Sequence, residues 1–328
     1  MSALHKRLAK GPPALYSFFM KRILITGANG FVGQHAIREF KANGYEVFEG
    51  LGPGTEPTND HQVPFNLLHY EIMSFVVNQI KPDACLHLAG QAHIPFCEKD
   101  PVTANDLNVT GTVRLLQAFR RHQPKARVVV VTSAEVYGHA PQGHIVTEKD
   151  PLTPTTLYGI TKQAADEASL AFANQLGLQV MTARPWNHIG PGQHPRFVAA
   201  AFARQFAAFT KGASPKMKTG NLDSQRDFTD VRDIVRGYRL ILENGTPGQA
   251  YNLSSSNLRP IRDLIDGFIK ISGIKPEMEV DPALFRPTDS TPMLSTDKIH
   301  EECGWNQKIP LEQSLKDILD EQVDLIDS

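Results

Sequence analysis

The chain has 328 residues, 41% of them hydrophobic, enough to bury a sizeable core as one large or two modest domains. Lysine plus arginine (34) nearly balance aspartate plus glutamate (35), and the formal charge of -1 excludes a domain-wide basic surface for nucleic acid or an anionic membrane. No apolar run approaches a bilayer span, and Cys85, Cys97 and Cys303 lack metal-ligand or CxxC spacing, so they read as reduced thiols of a cytosolic protein with no metal site.

In chain order, residues 1–19 are basic and contain Pro-Pro but lack a clean apolar core and cleavage site; they read as a flexible extension rather than a secretory signal. From Met20 on, "RILITGANGFVGQHAIREFKANGYEVFEG" predicts a strand, a glycine turn, an amphipathic helix ending at Asn43-Gly44, and a second strand. A buried strand is expected over Ala84 to Leu88. A helix follows in "DLNVTGTVRLLQAFRRHQP", with Val109, Val113, Leu116 and Phe119 along one side. "RVVVVTSAEVYG" is a strand covered on both faces that ends in polar residues, "LYGITKQAADEASLAFANQLG" is a long helix, and "LQVMTARPWN" is another strand. This alternation specifies a doubly wound parallel α/β sheet of Rossmann type. After Pro185 the texture changes to Pro- and Gly-rich loops with shorter helices. The expected division is a dinucleotide-binding domain over 20–184, completed by about 228–255, and a smaller α/β substrate-binding region over about 185–227 and 256–328.

Gly27, Gly30 and Gly33 in "TGANGFVG" lie between a strand and a helix, with Asn29, Phe31 and Val32 among them. Glycines there let the backbone approach a pyrophosphate at the helix N-terminus, where free N–H groups and the dipole favour an anion. The acidic residue that usually holds the adenosine ribose is missing: Leu51 occupies its register and Glu49 lies two residues early. Both NAD and NADP stay open, and the missing carboxylate, which would repel a 2′-phosphate, tilts the reading to NADP. Further on, Tyr158 and Lys162 in "YGITK" stand four residues apart on one helix face. An ammonium beside a phenol favours the phenolate and is expected to lower a pKa that is ordinarily about 10.

"TGANGFVG", "HLAG", "VVVVTSAEVYG" and "YGITK", in that order, resemble the extended short-chain dehydrogenase/reductases that act on nucleotide sugars, over residues 21 to about 320. The resemblance implies Tyr158 as acid/base, Lys162 on the nicotinamide ribose, and Ser133 on the reacting sugar oxygen. It also implies a cofactor cradle of Gly27, Asn29, Gly30, Phe31, Val32, Gly33, Leu88, Ala89, Gly90 and Asn108, and a homodimer through the helices at 103–122 and 158–176. Family dehydratases follow the Ser/Thr with an acid-base pair; here Ser133-Ala134-Glu135 keeps Glu135, a candidate catalytic and substrate contact, but Ala134 moves no proton, which disfavours dehydration.

The second half, with "WNHIGPGQ", "GNLDSQRDFTDVRDIV", "YNLSSS" and "LFRPTDSTPML", resembles the GDP-4-keto-6-deoxy-D-mannose reductases. That implies reduction of a nucleotide-linked 4-keto-6-deoxyhexose, best read as GDP-4-keto-6-deoxy-D-mannose to GDP-D-rhamnose. Asn187, Arg226 and Arg286 would hold the nucleotide diphosphate, with Arg suited by its planar fork. Glycine at 90, alanine at 92 and tryptophan at 186 depart from many relatives and bear on the sugar pocket. The alternatives are a 4-epimerase with tightly bound NAD and a redox-sensing Rossmann protein without turnover, which would have little need of Ser133, Tyr158 and Lys162 together.

Overall fold

The computed structural model describes residues 21–141, 143–284 and 291–327. Its centre follows from the apolar runs. In the strand Arg22–Thr26, Ile23 and Ile25 enter the core on one face and Leu24 the core on the other; Val129 is likewise separated from Val128 and Val130 in Arg127–Val131. A strand that is apolar on both faces needs cover on both, which helical crossovers supply.

Among the described residues, seven strands form one parallel sheet. Their spatial order is Ala250–Leu253, Gln179–Pro185, Arg127–Val131, Ala84–His87, Arg22–Thr26, Glu46–Leu51 and Gln62–Pro64. Chain order reverses between Arg22–Thr26 and Ala84–His87, and such a switch point is where open α/β sheets bind ligands, beyond the carboxyl ends of the strands. The expected doubly wound α/β fold is present.

Helices Phe31–Ala42 and Val231–Asn244 cover one face through Phe40, Tyr238 and Ile241. Helices Tyr70–Ile80 and Gly111–His122 cover the other through Met73, Leu115 and Phe119, joined by Phe172 of helix Leu157–Leu176. A separate cluster of Phe202, Phe206, Phe268, Leu315 and Ile318 holds helices Val198–Thr210, Arg262–Ser272 and Leu311–Asp327 together. Beside it lie short strand pairs, Lys216–Thr219 with Glu277–Val280 and Gln225–Asp227 with Leu258–Pro260. No helix of the described residues is long and apolar enough to cross a membrane.

One predicted helix differs in phase. Asp106–Thr110 is a π-helical turn between helices Pro101–Asn105 and Gly111–His122. Its wider turn rotates the following stripe. Leu115, Leu116, Ala118 and Phe119 are therefore buried, while Val109 and Val113 are only half-buried.

Helix Leu157–Leu176 is tied to the sheet by a buried ion pair. Arg184 donates from Nη2 to Asp166 Oδ2 (2.6 Å) and from Nε to Oδ1 (3.1 Å), the side chains being 4% and 0% exposed. The Thr132 hydroxyl donates to Asp166 Oδ1 (3.0 Å), and Arg184 Nη1 donates to Tyr137 Oη (2.8 Å), which donates on to Asn252 Oδ1 (2.7 Å). Desolvation offsets most of the attraction, but removing one partner strands the other charge in the core. Asp166→Ala is expected to cost about 3–5 kcal/mol in urea unfolding. Lys316→Ala, which breaks a surface pair with Asp320, should leave the unfolding midpoint unchanged.

Candidate active site

The first strand runs directly into Gly27, whose φ of +69° is left-handed, and helix Phe31–Ala42 begins with Gly30 as its N-cap. Gly27 lies against the Leu88–Ala89 turn: a Cβ on it would stand 3.0 Å from the Ala89 nitrogen. A Cβ on Gly33 would stand 2.3 Å from the Gly27 carbonyl oxygen, so the turn closes tightly on the helix. At Gly30 a Cβ would meet only that same oxygen, at 3.2 Å. No side chain caps this N-terminus. The N–H groups of its first turn are therefore left for an anion approaching from outside, as a pyrophosphate requires. Asn29 Nδ2 donates to Thr55 Oγ1 (3.0 Å), tying the turn to the loop after the second strand.

Neither Leu51, at the register where an acid is usual, nor Glu49 is free for a ribose contact. Leu51 is buried in the sheet core, and Glu49 accepts from Lys41 Nζ (3.0 Å) and Gln62 Nε2 (2.9 Å). Asn108 is buried in the π turn with its side chain fully engaged. Its Oδ1 accepts from Gln91 N–H (2.7 Å), and its Nδ2 donates to Gln91 O (3.0 Å) and Thr161 Oγ1 (2.9 Å). A Cβ on Gly90 would lie 2.7 Å from Asn108 Oδ1 and 3.7 Å from Lys162 Nζ, so this wall and the Lys162 ammonium are neighbours.

Ser133, Glu135, Tyr158 and Lys162 meet beyond the carboxyl end of Arg127–Val131. Thr156 caps helix Leu157–Leu176 by accepting the Gly159 N–H (3.0 Å), which places Tyr158 in the first turn. Residue 159 touches the opposing turn: a Cβ there would be 2.9 Å from the Glu135 carbonyl oxygen. The Tyr158 phenol faces the Ser133 side chain closely enough for that side chain to oppose the rise of its pKa, and Ser133 Oγ accepts the Glu135 N–H (3.2 Å). Lys162 Nζ donates to the Val131 carbonyl (3.1 Å) and lies 6.0 Å from the centre of the Tyr158 ring.

Burial pushes the Tyr158 phenol well above its ordinary value, with Glu135 and Cys97 adding to the rise and the Ser133 side chain opposing it. Among the side chains alone, desolvation of the phenolate outweighs the neighbours. The same burial lowers Lys162 itself to about 8.

On the substrate side, Ala134 is fully buried against Val136, Tyr137, Val146, Trp186 and Leu294. Trp186 Nε1 donates to Pro292 O (3.0 Å). Asn187 is exposed beyond Gln179–Pro185, and its backbone carbonyl accepts the Thr229 N–H (3.1 Å). Arg226 Nη1 donates to Gln225 O (2.7 Å) and Thr291 Oγ1 (3.0 Å). Asp227 holds Ser255 and Asn257, and Asp230 holds Arg232 and Ser314. Arg286 lies outside the described residues.

Sequence reasoning passed over His87, Thr112, Thr161 and Gly159. The signal for His87 was a polar residue ending an otherwise apolar strand; the others sit at ordinary helical positions and acquire meaning only from what folds against them.

The family profile described as GDP-mannose 4,6 dehydratase matches residues 24–318. The GDP-6-deoxy-D-mannose reductase of Pseudomonas aeruginosa is 32% identical over 304 residues, covering 91% of this chain and 96% of that protein. The solved structure of RMD from Pseudomonas aeruginosa complexed with NADPH has a TM-score of 0.82 at 30% identity, covering 93% of this chain and 100% of that one. The Thermus thermophilus UDP-glucose 4-epimerase complex with NAD has a TM-score of 0.80 at 26% identity, covering 92% and 98%. The chain belongs to the GDP-mannose 4,6-dehydratase family of extended short-chain dehydrogenase/reductases.

Proposed function

We propose that this protein reduces the 4-keto group of a nucleotide-linked 4-keto-6-deoxyhexose with NAD(P)H, GDP-4-keto-6-deoxy-D-mannose to GDP-D-rhamnose being the reaction it fits best. The observation that carries the reading is the meeting of Ser133, Tyr158 and Lys162 beyond the strand ends, beside an Ala134 sealed into an apolar cluster. Reductase chemistry needs the first three; dehydration would need a proton carrier where Ala134 stands.

The glycine turn and its uncapped helix fit the pyrophosphate of a nicotinamide dinucleotide. When bound, the reduced nicotinamide supplies the hydride for the carbonyl carbon. Tyr158 gives its proton to the carbonyl oxygen, and Ser133 donates a hydrogen bond to the same oxygen and polarises it. A phenol pushed up by burial is protonated at neutral pH, as an acid must be. The phenolate left behind is stabilised by the Lys162 ammonium and by its place in the first turn of the helix. Asn187, Arg226 and Arg286 are read as the diphosphate contacts. NADPH is preferred over NADH in this reading, because Leu51 is in the core and Glu49 is held by Lys41 and Gln62.

NADPH oxidation by the purified protein with GDP-4-keto-6-deoxymannose tests the reading, with NADH beside it. Tyr158→Phe should lower kcat by roughly 10²–10⁴-fold while cofactor affinity is kept. No oxidation by the wild type, together with NAD carried from the cell and turnover of a UDP-sugar, would replace the reductase by the 4-epimerase that the Thermus likeness allows.

The pH dependence follows from Lys162. As pH rises through about 8 the folded protein loses this ammonium, so kcat/KM should fall on an alkaline limb near that value. Lys162→Arg, which stays charged, should abolish the limb; an unchanged limb in that variant would assign it to another group.

The reading includes a homodimer. Val102, Leu157 and Ile160 are exposed apolar residues on helices Pro101–Asn105 and Leu157–Leu176, which pack on one another. Ile160→Asp should shift sedimentation from dimer to monomer, and a monomeric wild type would remove this element.

A further inference from the structure

His87 ends the strand Ala84–His87 and is only 2% exposed, yet both of its ring nitrogens have partners. Nδ1 is 2.7 Å from Thr26 Oγ1, and Nε2 is 3.1 Å from Thr112 Oγ1. The direction of each bond can be worked out from its neighbours. Thr112 has one hydroxyl hydrogen, and it goes to the Asn108 carbonyl at 2.7 Å. Thr112 Oγ1 must therefore accept from His87, which fixes the hydrogen on Nε2. A neutral ring then leaves Nδ1 bare, to accept the Thr26 hydroxyl hydrogen. Thr26 Oγ1 in turn accepts the Ala89 N–H at 3.1 Å. Burial and the charge of Lys162 hold the ring neutral, lowering its pKa to about 3.

A second leg starts from the side chain of the same Asn108. Nδ2 donates to Thr161 Oγ1 (2.9 Å), and the Thr161 hydroxyl donates to the Tyr158 carbonyl (2.8 Å). The two legs join the wall against which Gly27 packs to the first turn of the helix bearing Tyr158 and Lys162. Thr26, His87, Asn108, Thr112 and Thr161 are all buried, so a broken bond between them would leave an unsatisfied polar group in the core.

We propose that His87 is a positioning residue: as the neutral Nε2–H tautomer it links, through Thr26, Thr112 and Asn108, the cofactor turn to the Tyr158 helix and so fixes the gap across which hydride and proton are delivered. Its role in turnover rests on the function proposed above. The hydrogen-bond direction rests on the structure alone. The ring stays neutral in this role and takes no proton from the substrate. Its effect is on geometry, where a misplacement of about 1 Å costs on the order of 10²-fold in rate.

The test uses the full chain with ¹⁵N-labelled histidine, and His87→Leu, Thr112→Val and the double variant. Long-range ¹H–¹⁵N spectra should show the His87 ring as a single neutral Nε2–H tautomer throughout the range from about pH 5 to 8, where an ordinary histidine titrates. Thr112→Val, nearly the same in shape, should release that tautomer and lower kcat for NADPH oxidation by about tenfold to a hundredfold, with the KM for the sugar nucleotide unchanged. His87→Leu should fall equally, and the double variant should be no slower than the slower single one, because the groups act as one chain. A ring that protonates in this range, an Nδ1–H tautomer, single variants with wild-type turnover, or losses that multiply in the double variant would each overturn the proposal. If the wild type itself oxidises no NADPH, the proposed reaction fails, and the ring spectrum alone then decides for or against the His87 chain.

Discussion

Helix Leu157–Leu176 reaches the turn at Ser133–Glu135 only because residue 159 has no side chain; a Cβ there would press to 2.9 Å on the Glu135 carbonyl oxygen. This close approach sets much else. It brings the first-turn Tyr158 to the Ser133 hydroxyl and, one helical turn on, lays Lys162 against the Val131 carbonyl at the end of the neighbouring strand. The Asp166–Arg184 pair holds the same helix two turns further along, and Thr132, next to Ser133, shares that carboxylate. One helix is thus located at three successive levels, by a backbone contact, a cation on a carbonyl and a buried ion pair.

Burial at this junction acts on acid and cation in opposite senses. It raises the Tyr158 phenol and lowers the Lys162 ammonium, because each charged form loses water. For a reductase both shifts are useful within limits. In the reaction proposed above, the phenol would keep its proton for the carbonyl oxygen, and the ammonium would stay charged up to pH of about 8. Beside them, the glycine turn presses on Ala89 so that an uncapped helix N-terminus faces the same end of the sheet. The candidate site therefore lies at the point where the strand order reverses, with the glycine turn on one side of it and Ser133, Tyr158 and Lys162 on the other.

The parallel sheet was legible because its strands are apolar on both faces and alternate with amphipathic helices; Ile23, Leu24 and Ile25 alone nearly require cover on two sides. The glycine turn and the Tyr158/Lys162 pair could be picked out by local spacing, whereas the roles of Ser133, Tyr158 and Lys162 came from the family resemblance. The π turn could not, since the local pattern of Val109, Val113, Leu116 and Phe119 suits a regular helix and only packing chooses the extra residue. Leu51 was placed by register, but its burial depends on the helix laid over it. The surroundings of Tyr158 were only half legible for a similar reason. The sequence displays the neighbouring charge but not the desolvation, which is larger. His87, with partners 61 and 25 residues away in the chain, carried almost no local signal.

The most direct test of this account is Gly159→Ala. Alanine in a helix interior gains about 1 kcal/mol of intrinsic propensity over glycine, but here its Cβ would press on the Glu135 carbonyl oxygen and on Pro154 Cβ, both at 2.9 Å. If the close approach governs the site, the added methyl should push the Tyr158 turn away from Ser133. Hydride transfer to GDP-4-keto-6-deoxymannose would then fall by on the order of 10²-fold while NADPH still binds. A stable Gly159→Ala protein that oxidises NADPH at the wild-type rate would contradict the account.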